Sequence, residues 1–147
     1  MDFVSSGGTF IVQYNTNNNL GKLGNNIGPY PFKISRKRVT DEYAEIRFTE
    51  PENKILNTPN KITAEDFRGW VQERGIYFAE DIDPKYQAPL SCNDKGESPL
   101  NGSLIVAKSG KGHFVYTGLA FFRQLPAGVP GAYRLFSNLM ALPSSQE

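Results

Sequence analysis

The sequence predicts an α/β fold: a mostly parallel sheet, covered on both sides, that carries one antiparallel hairpin. Three observations predict it. Thr9-Phe10-Ile11-Val12-Gln13-Tyr14 puts β-branched and aromatic residues on both faces of a short extended run, the pattern of a strand buried on two sides. Leu104-Ile105-Val106-Ala107 and Phe114-Val115-Tyr116-Thr117 flank Ser109-Gly110-Lys111-Gly112, a strong hairpin signal. Ala132, Leu135, Phe136, Leu139 and Met140 recur at helical spacing and form one apolar stripe.

Taken in order, Phe3-Val4-Ser5-Ser6 reads as the last turn of a helix closed by Gly7 or Gly8, residues suited to the left-handed conformation. A helix leading into a two-sided strand reads as the interior of a larger α/β domain that lacks its first βα unit. Asn15 to Gly28 is polar and glycine-rich and predicts a long loop, better explained by solvation than by ligand contact. Phe32 and Ile34 share a face of a short strand. Ala44, Ile46 and Phe48 alternate with Glu45, Arg47 and Thr49, which predicts a half-buried strand. Thr63-Ala64-Glu65-Asp66 has the form of a capped helix start, with Phe67 and Trp70 on its inward face. Residues 76–79 and 88–92 predict two further strands, the second closed by Asn93-Asp94-Lys95-Gly96. Pro130 starts the final helix and Pro143 stops it. There is no internal repeat, and residues 1–147 read as one domain.

Composition narrows the chemistry. The chain has 147 residues, 39% hydrophobic and 21% charged, ordinary values for a globular domain. Sixteen basic against fifteen acidic side chains give a net charge of +1, without the basic excess of a nucleic-acid-binding domain. No apolar run is long enough to span a bilayer, and the first residues lack a signal peptide's pattern. One cysteine excludes an internal disulfide and a multi-thiolate metal site; one histidine excludes the two-histidine sets of most catalytic zinc and iron centres. No metal and no cofactor is expected.

Three groups of residues bear on chemistry. Cys92 and His113 are the one nucleophile and base pair on offer. Cys92, however, precedes a turn rather than the strand-to-helix elbow that exposes a nucleophile. The carboxylates Glu65, Asp66 and Glu73, and Glu80, Asp81 and Asp83, are better explained by helix capping and a turn than by glycoside or cation chemistry. The basic group Lys33, Arg36, Lys37 and Arg38 is cancelled by Asp41, Glu42 and Glu45 and reads as a solvated edge. Richer in functional groups than a plain surface are Trp70, Gln72, Glu73 and Arg74, with Tyr77 nearby, and Arg123 and Gln124 in the irregular segment before the last helix. These seven are the candidate ligand-binding residues, with Arg123 and Gln124 able to position a ligand carboxylate or sugar hydroxyl. The competing reading is that Arg123 and Gln124 satisfy loop carbonyls.

Gly7-Gly8-Thr9-Phe10-Ile11-Val12-Gln13-Tyr14-Asn15-Thr16 is similar to the strand that ends at the nucleophile position of class I glutamine amidotransferase-like domains. Leu56-Asn57-Thr58-Pro59-Asn60-Lys61-Ile62-Thr63, Gly69-Trp70-Val71-Gln72-Glu73-Arg74-Gly75 and Tyr116-Thr117-Gly118-Leu119-Ala120-Phe121-Phe122-Arg123-Gln124-Leu125-Pro126 resemble the carboxyl-terminal region of long bacterial PIG-L (LmbE-type) deacetylase proteins. The resemblance implies a flavodoxin-like, amidotransferase-like domain downstream of a metal-dependent N-acetyl sugar deacetylase, in a protein that is periplasmic or extracellular. Its implied partners are the upstream deacetylase domain, a second copy of the chain, or a glycan. The catalytic motifs do not carry over: no cysteine succeeds the strand at Gln13-Tyr14-Asn15-Thr16, no His-x-Glu pair is present, and His113 precedes Phe114 rather than the Pro-Asp-Asp of the deacetylase metal motif. The expectation is therefore a catalytically empty accessory domain for support, dimerisation or substrate docking. A carbohydrate- or small-ligand-binding module, or a divergent hydrolase using Cys92, are the alternatives.

Overall fold

A computed structural model describes residues 2–13 and 27–142. The hairpin is the centre of the fold. Strand β8 (Leu104–Ser109) and strand β9 (Gly112–Thr117) pair antiparallel from Leu104 opposite Thr117 to Ser109 opposite Gly112. Gly110 supplies the positive φ, 60°, that the two-residue reversal needs. Strand β1 (Thr9–Gln13) lies parallel to β9, giving the order β1-β9-β8.

Side chains alternate through this sheet and feed two cores. Leu104, Val106 and Val115 face one core with Trp70, Phe121, Leu135 and Leu139. Ile105, Ala107, Phe114 and Tyr116 face the other with Phe32 and Tyr86. Two-sided burial, expected of β1, belongs instead to β8 and β9. β1 is an edge strand among the described residues, and its Phe10 is 45% exposed. Helix α1 (Asp2–Ser5) leads into it and closes as expected, with Gly7 at φ 117° and the Gly7 and Gly8 amides donating to the Val4 and Phe3 carbonyls.

The mostly parallel, flavodoxin-like sheet is not what forms. Beyond the three-stranded mixed sheet, the strands make three two-stranded antiparallel ladders. β2 (Lys33–Ile34) pairs with β6 (Ala79–Glu80), β3 (Arg38–Val39) with β5 (Gly75–Ile76), and β4 (Arg47–Phe48) with β7 (Leu90–Ser91). A parallel sheet needs a helical crossover of a dozen or more residues between successive strands. Between β1 and β8 the described chain instead spends its length on two-residue strands and on 3-10 turns at Lys54–Leu56 and Ala64–Phe67. Each antiparallel ladder joins two strands far apart in the chain rather than sequential neighbours, so none of the three is a hairpin.

Several local expectations are corrected in the same way. The strand expected at residues 76–79 is split between β5 and β6 because Tyr77 takes a left-handed φ of 64°. The strand expected across residues 44–48 is paired only at Arg47 and Phe48, although Ala44 and Ile46 are buried. Thr63 caps as predicted: its hydroxyl accepts from the Glu65 amide at 3.3 Å while Asp66 Oδ2 accepts from the Thr63 amide at 2.9 Å. The capped segment, Ala64–Phe67, is a single 3-10 turn rather than an α-helix. Helix α3 (Pro130–Met140) starts at Pro130 and buries Ala132, Leu135 and Leu139, but Met140 is 66% exposed and leaves the stripe. Gly131 lets α3 seat against the backbone of Asp66, where a Cβ would collide. Most of the loop expected at residues 15–28, and Pro143, lie outside the described residues.

Candidate functional site

Six of the seven candidate residues converge on one loop, residues 70–74, which runs into β5. Trp70 is core rather than platform: it is 2% exposed, its indole N–H donates to the Asp66 carbonyl at 2.9 Å, and its ring packs on Phe67 and Phe121. Gln124, at the end of helix α2 (Phe121–Gln124), is fully buried. Its amide oxygen accepts from the Val71 N–H at 2.7 Å, and its amide nitrogen donates to the carbonyls of Val71 at 3.0 Å and Glu73 at 3.4 Å. The side chain thus completes the backbone pairing that the irregular loop cannot supply itself. Arg123 lies 3.6 Å from Glu73 and over the Phe122 ring at 4.9 Å. Gln72 is exposed at a left-handed φ of 69°, and its amide donates to Glu42 Oε2 at 2.8 Å. Tyr77 stands apart on the far side of β5, where its carbonyl accepts from the Tyr116 hydroxyl at 2.5 Å.

Arg74 is the unusual member. It is 5% exposed, and its guanidinium lies over the Phe67 and Trp70 rings at 5.7 and 5.9 Å. Nε and Nη2 donate to the Ala44 carbonyl at 3.1 and 2.9 Å, and Nη1 donates to the Phe67 carbonyl. Among the described residues no carboxylate forms an ion pair with it. Burial draws its pKa down, opposed by Cys92, Asp41 and Glu42. A guanidinium nonetheless keeps its proton at neutral pH.

Arg74 closes the floor of a groove of about 550 Å³ lined also by Tyr43, Ala44, Glu45, Ile46, Phe67, Arg68 and Gly69. The sequence pattern does not mark residues 43–46 as part of any site. They read as a plain half-buried strand, and their approach to Arg74 depends on a carbonyl contact thirty positions apart, which leaves no trace in side-chain pattern.

Cys92 and His113 belong to different environments. Cys92 is fully buried in the ladder with Leu100, and burial pushes its thiol up to about 11, against the pull of Arg74 and Arg47. His113 sits beside the β8–β9 turn, opposite Lys108; burial and the Lys108 and Lys54 charges lower its pKa. Neither group figures among the charges acting on the other.

The carboxylates and the basic group are largely engaged with each other. Lys33 pairs with Asp81 at 3.2 Å, Lys37 with Glu80 at 3.0 Å, and Arg134 with Asp66 at 2.8 Å. Lys33 and Lys37 of the basic group thus pair with Asp81 and Glu80, and Arg38 lies near Asp94. Among the described residues no cluster of three or more His, Cys, Asp or Glu side chains is placed to hold a metal ion, and no helix is long and apolar enough to cross a membrane. Comparison with protein-family models, curated proteins and solved structures finds no match for this chain.

Proposed function

We propose that this chain is a non-catalytic accessory module of a PIG-L-type N-acetyl sugar deacetylase protein, bracing or docking a metal-dependent domain encoded in the same polypeptide. The observation that carries this reading is the state of Cys92. A thiol with no exposed surface and a pKa near 11 is neither accessible nor ionised at neutral pH, so it cannot serve as a nucleophile. Gln124 and Trp70 likewise commit their polar groups to backbone partners within the chain. Apolar surface at Phe3 (66% exposed) and Phe10 (45% exposed), beside the edge strand β1, suits cover by a neighbouring domain.

The gene supplies the first test. A His-Pro-Asp-Asp segment in the same reading frame supports the reading, and a frame without one overturns it. In the second test the parent protein is expressed with and without residues 1–147. Loss of thermal stability or a raised KM, with kcat for deacetylation little changed, is the expected result. A kcat that collapses on removal, and that Cys92→Ala reproduces, contradicts it.

A further inference from the structure

We propose that the groove floored by Arg74 is a binding site for a small monocarboxylate carried on a ring. The inference goes beyond the accessory-domain reading and concerns this chain whatever protein it serves.

A buried charge is ordinarily paired, because an isolated ion loses its hydration without recompense. Arg74 is 5% exposed and has carbonyl partners but no carboxylate partner among the described residues. A guanidinium carries five N–H donors. Three are used on the Ala44 and Phe67 carbonyls, which leaves one N–H on each terminal nitrogen for an acceptor. Those carbonyls and the two aromatic rings also fix the plane of the guanidinium, so little side-chain entropy remains to be lost on binding.

The walls specify the rest of the ligand. A volume of about 550 Å³ is that of a small-molecule site. Ala44, Ile46 and Phe67 make the walls apolar, and Tyr43, 80% exposed, offers a ring face at the rim. The other charges select against a polyanion. Arg68 is neutralised by Glu65 at 3.1 Å, and Glu45 adds a negative charge to the lining. Asp41 and Glu42 also act on Arg74 through space. The two N–H donors left on Arg74 match the two oxygens of one carboxylate, while a phosphate dianion would bring a second negative charge beside Glu45, Asp41 and Glu42.

The test is a titration of the isotope-labelled full chain, monitored by amide and arginine side-chain NMR, at constant ionic strength. The probes are benzoate and glucuronate, with benzyl alcohol, glucose and inorganic phosphate as controls. Saturating shifts at residues 43–46, Gly69 and the Arg74 Nε–H with at least one carboxylate, and none with the neutral analogues, is the expected result. Benzoate alone then assigns an apolar ring, glucuronate alone or both a sugar acid. Tyr43→Ala, at an exposed position, is expected to weaken binding by about fivefold at an unchanged melting temperature. Arg74→Lys keeps the charge but not the fork and is expected to lose most of the affinity. Neutral analogues or phosphate binding as well as the carboxylates, an unaffected Tyr43→Ala variant, or silent groove signals would each overturn the proposal.

Discussion

Gln124 holds Val71 as a neighbouring strand would: the amide oxygen takes the Val71 N–H at 2.7 Å and the amide nitrogen gives to the Val71 carbonyl at 3.0 Å. Gln124 is fully buried and Val71 half-buried, so water replaces the lost partner only incompletely. Gln124→Ala is therefore expected to destabilise the chain by about 2–3 kcal/mol in urea unfolding, from unsatisfied Val71 groups alone. A change below about 0.5 kcal/mol, the range of ordinary surface substitutions, would show that the loop holds itself.

Alkaline pH should weaken the fold in a defined window. Burial raises the Cys92 thiol from 9.0 to about 11. A group whose folded pKa lies above its unfolded value contributes stability below the unfolded pKa and loses it as pH rises through the folded one. Stability measured by urea titration should thus fall from pH 9 to about 11, and Cys92→Ala should flatten that fall. Tyr86, raised from 10.0 to about 12 mainly by burial, extends the decline, and Tyr86→Phe should remove that part. A native chain whose stability is level across the window contradicts both burials.

The corrected stripe of α3 is testable by a pair of truncations. Leu135 is fully buried, and Leu135→Ala should cost about 2–5 kcal/mol through lost transfer energy and the cavity left behind. Met140 is 66% exposed, and Met140→Ala should stay within about 0.5 kcal/mol. Thermal or urea unfolding reads both, and equal effects would restore the five-residue stripe.

What the sequence made legible was local. The Ser109–Gly112 hairpin, the Thr63 cap, the Gly7 closure and the Pro130 start each depend on residues within a few positions of one another, and each forms. Long-range partners were not legible. The pattern at β1 suited a central strand, but its second face is only partly covered, and the alternation that fills both cores lies in β8 and β9. Asn138 falls in register with the buried face of α3, where a polar residue ordinarily argues for exposure. It is fully buried because its amide donates to the carbonyls of Ile55 and Asn60 at 2.6 and 2.7 Å and accepts from the Asn60 N–H at 2.9 Å. Of the candidate site, Arg74 and Trp70 were identified from their density of functional groups. Their roles differ, because whether an arginine faces solvent or a carbonyl depends on which distant backbone arrives.

The proposed accessory role requires that this chain carry no reactive group of its own, and Cys92 is where that requirement is most exposed to contradiction. The direct measurement is the rate of thiol labelling by iodoacetamide at pH 8, in native buffer and in denaturing urea, alongside ammonia release from glutamine and acetate release from an N-acetylated sugar. Labelling only as fast as the chain unfolds, with no product above a protein-free control, is the expected result. Rapid native labelling, together with product formation that Cys92→Ala abolishes, would contradict it.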